Sequence, residues 1–266
     1  MQVDFTEDQV RFREVVARFM QDKSQPATVR QLMESEAGFD PDVWRQLTGE
    51  LGLTGTHLPE DFGGYGFGPV ELGIALEEMG RYLYCGPFFA SAVMAAGAVL
   101  IAGSSAAKNE ILPGIAAGTT VAALVLDDLN TVAGAGEQIS ARGGVLSGSA
   151  PLVIDAGNAD LLIAIASSAE GLGLYAVNPE SEGILIESVE ALDPTRKLSS
   201  VTFSGVAAQR IGDLDERNLD SLWDYICVAL AHEMVGGTQH LLDSTVEYTK
   251  LRYQFGRPIG SFQGLK

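Results

Sequence analysis

Residues 250–266 read Lys250-Leu-Arg-Tyr-Gln-Phe-Gly-Arg-Pro-Ile-Gly-Ser-Phe-Gln-Gly-Leu-Lys266. The charge of this stretch runs against the rest of the chain. From Thr249 onward there are four basic residues (Lys250, Arg252, Arg257, Lys266) and no carboxylate, in a molecule of formal charge −18. A local cationic patch on an acidic protein is what an anionic ligand such as a pyrophosphate needs. Spacing adds a second signal. Arg252 and Phe255 stand three apart, which predicts that they share one helical face. Gly256 suits the position just past a helix C-terminus, and Pro258 prevents continuation. Gln263 opens the next element. An ordinary helix end with a favourable arginine has the same look, so the remainder of the chain must decide.

With 266 residues the chain has room for two domains, or one and part of another. Its 46% hydrophobic content is that of a globular protein. Seventeen basic against thirty-five acidic residues argues against nucleic acid and against anionic membranes as partners. The longest apolar run, Phe88 to Ala102, is interrupted by Ser91 and Gly97 and is shorter than a membrane span. The N-terminus lacks a basic and apolar leader pattern, so a cytoplasmic location is expected. Cys85 and Cys227 form no CxxC and read as small core residues. His57, His232 and His240 have no metal-ligand spacing.

Thr6-Glu-Asp-Gln9 has the form of a capping box, with Phe5 and Val10 as a staple. Phe12, Val15, Val16, Phe19 and Met20 follow at helical spacing. Asp40-Pro41 starts another helix, with Val43, Trp44, Leu47 and Leu51 inward and Gly52 as its stop. After the breaker-rich loop Leu58-Pro-Glu-Asp-Phe-Gly-Gly-Tyr-Gly66, helices are predicted from about Pro69 to Arg81, Phe88 to Ala102 and Ala106 to Ala117. From Gly118 the texture changes to short β-type runs: 121–126, 138–141, 145–146, 152–154, 161–165, 172–177, 184–186 and 201–203. Many short strands between Gly, Asn, Asp and Ser clusters predict a β-barrel or sandwich. Helical periodicity returns near Asp213, with Leu222, Trp223, Ile226, Leu230 and Met234 on one face, and runs through Gly236-Gly237 to Tyr253. The predicted fold is thus α+β and multidomain: an all-helical domain over 1–118, a middle β domain over 119–212, and the start of a C-terminal helical bundle over 213–266.

The C-terminal stretch resembles the R-x-x-F-G-x-x-I-x-x-x-Q signature of acyl-CoA dehydrogenases. The loop from Leu58 to Gly66, together with Leu76-Glu-Glu-Met-Gly-Arg81, is similar to their N-terminal signature, P-E-x-x-G-G-x-G followed by a helix ending E-E-x-G/A-R. The helical, β, helical order is also that family's. The resemblance implies FAD-dependent α,β-desaturation of an acyl-CoA thioester, with a glutamate taking the α-proton. It also implies that Arg252, Phe255 and Gln263 reach across a subunit interface to the pyrophosphate of an FAD seated mainly in the neighbour. An electron-transfer flavoprotein is the family's usual electron acceptor. Lys266 falls where the family's bundle would begin its second half, so a partial chain is expected.

Two family features are altered. Asp127 and Asp128 stand where the flavin-side T-E-P-x-x-G-S-D motif has Thr and Glu. In Leu146-Ser-Gly-Ser-Ala-Pro-Leu-Val-Ile-Asp155, Ala150, Leu152 and Ile154 replace the Lys, Trp and Thr of L-N-G-x-K-x-W-I-T-N. Leucine and isoleucine offer no donor to a ring edge. No residue matches the catalytic glutamate: thirty residues before Gly256 stands Ile226, with Cys227 beside it, and Glu233 and Glu247 match no known base position. These losses beside an intact Arg252-Phe255-Gln263 set predict a non-catalytic partner in an α2β2 acyl-CoA dehydrogenase, in which a second, similar subunit holds the flavin. A self-sufficient homotetramer with an unusual flavin pocket and a cofactor-free assembly protein are the alternatives.

Overall fold

The computed structural model describes residues 4–127 and 135–265. Asp128 of the altered flavin motif and Lys266 of the cationic tail lie outside the described residues.

The first helix, α1 (Glu7–Lys23), starts at the predicted capping box: Thr6 accepts from the Gln9 amide, and the Gln9 side chain accepts from the Thr6 amide. Helix α2 (Pro26–Glu34) follows, then α3 (Pro41–Arg45), capped by Asp40 and prolonged as a π-turn over Gln46–Glu50. Gly52 ends this unit in the left-handed region (φ 64°). Helix α4 (Pro69–Arg81) is the centre of the helical region. Phe89–Ala95 is wound as a π-helix leading into α5 (Ala96–Ala102), and α6 (Ser105–Ala116) closes the set.

The strands are β1 (Ala122–Val125), β2 (Ile139–Arg142), β3 (Val145–Ile154), β4 (Leu161–Ser168), β5 (Gly171–Val177), β6 (Ile184–Val189), β7 (Leu198–Ala207) and β8 (Gln209–Asp213). They form one mixed sheet in the order β6-β7-β3-β2-β4-β5-β8, with β1 parallel to β4. Side chains alternate between two cores along β1 and β4. Leu124, Ile163 and Ile165 join the helical core, while Ala123, Val125, Leu162, Ala164 and Ala166 face a second core with Ile139, Leu146 and Phe203. A strand buried on both faces reads as a continuous apolar run, which is how both appear in the sequence. The runs at 145–146 and 152–154 are one strand. Gly148 and Pro151 break the apolar pattern between them, and the register against β7 shifts between Ala150 and Val153, where Pro151 has no amide to donate.

Helix α7 (Glu216–Leu251) runs unbroken through Gly236-Gly237. Its buried stripe is Leu222, Ile226, Ala229 and Gly236, which corrects the expected face: Leu230 is 38% and Met234 64% exposed. Small residues set this stripe because α7 lies very close to α4. A Cβ on Gly236 would sit 1.8 Å from the Glu77 carbonyl oxygen, and one on Gly80 would sit 2.0 Å from that of Glu233. Cys85 is buried, but Cys227, on the outer side of α7, is exposed, contrary to expectation.

Candidate functional site

The N-terminal signature acts as a docking surface for its neighbours. Glu77 and Glu78 both pair with Arg13 of α1, at 2.7 and 3.1 Å, and Glu77 also meets His232 of α7 at 2.9 Å. Gly80 permits the close helix crossing, and Arg81 pairs with Asp243 of α7 at 2.5 Å. Leu-Glu-Glu-Met-Gly-Arg is therefore a set of contacts that fixes the direction of α7.

That direction presents the C-terminal signature. α7 stops at Leu251, and Arg252 is its C-cap in extended conformation. Tyr253–Gln254 then pairs antiparallel with Arg257–Pro258, forming a two-stranded hairpin, β9 and β10. Arg252 and Phe255 therefore do not share a helical face. Phe255 occupies the hairpin turn, at φ 52°, followed by Gly256 at φ 76°. Two successive left-handed residues define the turn type that favours Asn-Gly. A phenylalanine there is backbone-strained, and the residue is 92% exposed.

Arg252, Phe255 and Gln263 fall at the helix end, in the hairpin turn and in the 3-10 turn that follows. The Ile259 amide donates to the Arg252 carbonyl at 2.8 Å, folding the chain back on the helix end. Phe255 meets Phe262 edge-on at 6.3 Å, Arg257 lies 4.0 Å above the Phe262 ring, and Gln263 follows at once in a 3-10 turn. Arg252 and Gln263 are exposed, and among the described residues no carboxylate pairs with Arg252. A planar guanidinium with its donors open, an amide and a free ring face suit a pyrophosphate and its attached rings.

The positions of the flavin cradle in this chain look different. Leu152 is a partly exposed hydrocarbon, and Ile154 packs on the helical core. Asp127 is buried and accepts from the amides of Gly136 and Gln138 at 3.0 and 2.8 Å, so its carboxylate is committed within the chain. Asp155, in left-handed conformation at the end of β3, is pushed up to about 6 by burial, opposed by Arg196, Asn158 and Lys197. Beside it, Arg196 crosses from the sheet to the helices. One guanidinium nitrogen donates to both Glu233 oxygens at 2.7 and 2.8 Å, and the group stacks on Phe89 at 4.7 Å. These residues do not fit an isoalloxazine edge, which needs donors that Leu152 and Ile154 lack.

The base candidates are committed elsewhere. Glu233 is held by Arg196, and Glu247 pairs with Lys250 on the surface at 2.6 Å. Ile226 is in the core, and Cys227 beside it is an exposed thiol. The partnership of Arg196 with Glu233 and Phe89 escaped the sequence reading, because contacts between residues so far apart in the chain leave no periodicity to detect.

A helical region, a two-faced sheet and a long helix ending in an arginine-phenylalanine hairpin make up the architecture. Residues 6–119 match the acyl-CoA dehydrogenase N-terminal domain. The acyl-CoA dehydrogenase IpdE2 of Mycolicibacterium smegmatis is 32% identical over 261 residues, 98% of this chain and 70% of that protein. A solved variant of the Tcur3481-Tcur3483 steroid ACAD is similar at TM-score 0.85 and 28% identity, over 97% of this chain and 71% of that one. The ChsE4-ChsE5 complex from Mycobacterium tuberculosis gives TM-score 0.86 at 25% identity, over 99% and 72%. The chain belongs to the acyl-CoA dehydrogenase family.

Proposed function

We propose that this chain works in FAD-dependent α,β-desaturation of an acyl-CoA thioester as one subunit of a heteromeric acyl-CoA dehydrogenase. It lends Arg252, Phe255 and Gln263 to a flavin held mainly by a partner subunit. The observation that carries this reading is Phe255: a strained, 92% exposed residue at a hairpin tip beside an open guanidinium. The altered cradle supports it from the other side, since Leu152 and Ile154 provide no donor in this chain. So do two of the similar solved structures, which are two-component assemblies by name, one of them a steroid ACAD. A bulky acyl group such as a steroid side chain fits the same pattern, because fewer flavin sites leave room for a larger thioester. FAD, when bound, supplies the hydride acceptor. On this reading the chain's own residues grip and orient the pyrophosphate, and the α-proton is taken by a carboxylate outside the described residues. The family's usual electron-transfer flavoprotein is the proposed acceptor, and a cytoplasmic location is part of the proposal.

Flavin absorbance per chain is the test, measured on the chain alone and on the complex co-purified with a second acyl-CoA dehydrogenase-like subunit. Flavin only in the complex is expected. Arg252→Ala should lower flavin retention there about tenfold or more, the loss of a charge-assisted hydrogen bond, with no change in the fold of the free chain. Stoichiometric flavin on the isolated chain would instead make it self-sufficient, and none in either preparation would leave an assembly protein.

A further inference from the structure

A pocket lies in the helical region, where the loop before α4 meets α5 and the first half of α7. It encloses about 160 Å³, and its walls include Phe67, Leu72, Leu100 and Ile101. Two polar side chains, His57 and Tyr225, interrupt this apolar lining with ring centroids 6.3 Å apart. Both His57 nitrogens and the Tyr225 hydroxyl are shut off from solvent, and among the described residues none makes a hydrogen bond of normal geometry, His57 having only a weak backbone contact at Ala92. Buried polar atoms without partners cost their full desolvation, so native proteins keep few of them without a reason. Packing alone does not supply the reason. Gly97 of α5 leaves room for the Tyr225 ring, since a Cβ there would come within 2.7 Å of it, and phenylalanine would fill that space equally well.

From this arrangement we infer that the pocket binds a small neutral molecule, or the neutral end of a larger one, through a hydroxyl or ketone oxygen. The phenol donates, and a neutral imidazole offers one donor and one acceptor. The residues lining the pocket include no carboxylate, lysine or arginine, so neither an anion nor a cation is favoured. The volume is about five times the ~30 Å³ share of a water molecule in the liquid, enough for a single saturated ring. Burial pushes the His57 pKa down to about 4, with the Ala92 backbone only partly opposing it, which keeps the ring neutral under ordinary conditions.

Cyclohexanol and methylcyclohexane are matched probes, differing in the hydroxyl. With the full chain labelled at histidine Cε1, three resonances are expected, and His57→Phe identifies the one of interest. Cyclohexanol should shift the His57 signal saturably while those of His232 and His240 stay in place. Tyr225→Phe should weaken that binding about tenfold, the loss of one hydrogen bond. An equal response to methylcyclohexane would overturn the inference, as would unchanged affinity in a folded Tyr225→Phe variant. A His57 signal that never saturates would mean that the pocket takes water only, and would also overturn it. The comparison of the two probes on the unmodified chain decides the matter even if the variants fail to fold.

Discussion

Helices α4 and α7 cross at backbone contact, yet they inhabit different environments. Eight of the thirteen residues of α4 are buried, against four of the thirty-six of α7, and the last of those four is Gly236. Every unusual residue of α4 is explained by a contact within the chain: Glu77 and Glu78 by Arg13, Gly80 by the α7 backbone, Arg81 by Asp243. Beyond Gly236 the apolar residues of α7 have no such account, with Leu241 68%, Leu242 55% and Leu251 76% exposed. Apolar strips of this length are uncommon on the free surface of monomeric proteins. The core contacts of α7 all come from its first half. Its second half carries the signature hairpin outward.

The sharpest way to break this contrast is to treat the two adjacent glycines alike. Gly236→Ala forces a methyl group against the Glu77 carbonyl and should cost about 3 kcal/mol, as overpacked sites do, measured by urea unfolding. Gly237, whose added Cβ would meet the Gly80 carbonyl oxygen at an ordinary 3.5 Å, should accept alanine with a gain of about 0.5 kcal/mol. Equal effects at both sites would remove the distinction between the halves.

Two buried titrating groups sharpen the comparison further, one on the sheet and one beside the helices. Asp155 has a folded value of about 6 against 3.8, so its contribution to stability is complete at low pH and is lost as pH rises through that window. His57 works in the opposite sense: with a folded value of about 4 against 6.5, its contribution is lost as pH falls from 6.5 towards 4. Each is worth about 3 kcal/mol, so they largely cancel in the unmodified chain. Unfolding midpoints between pH 4 and 7 should separate them. Relative to the unmodified chain, Asp155→Asn should gain stability as pH rises and His57→Phe should lose it. Three parallel curves would show that neither group is buried as described.

The smallest effect concerns the hairpin. Phe255→Asn places a residue suited to left-handed backbone at φ 52° and should stabilise the free chain by somewhat less than about 1 kcal/mol. The same substitution should weaken flavin retention in the heteromeric complex. A variant that is both more stable and fully competent would show that the ring serves no contact.

The capped helices were legible because their signals are local: Thr6 with Gln9, Asp40 with Pro41, Gly52 as a stop. The strands buried on both faces were legible as apolar runs. The β8 strand, Gln-Arg-Ile-Gly-Asp, was not, since a short polar edge strand carries little pattern. The end of α7 was misread for a physical reason. Arg252-Tyr-Gln-Phe-Gly256 can continue a helix by propensity, and only the return of Ile259 to the Arg252 carbonyl turns it into a hairpin. The motif that carries Arg252, Phe255 and Gln263 is a local sequence pattern, whereas the restraint of Glu233 by Arg196 and the pairing of His57 with Tyr225 depend on the folded chain.

The helix crossing at Gly236 has a mechanical consequence. Sixteen residues separate it from Arg252, which at 1.5 Å per residue is a rigid arm of about 24 Å. A tilt of about 5° at the pivot displaces the guanidinium by about 2 Å, more than a hydrogen bond tolerates. Aim, rather than composition, is thus what the glycines at the base of the arm secure.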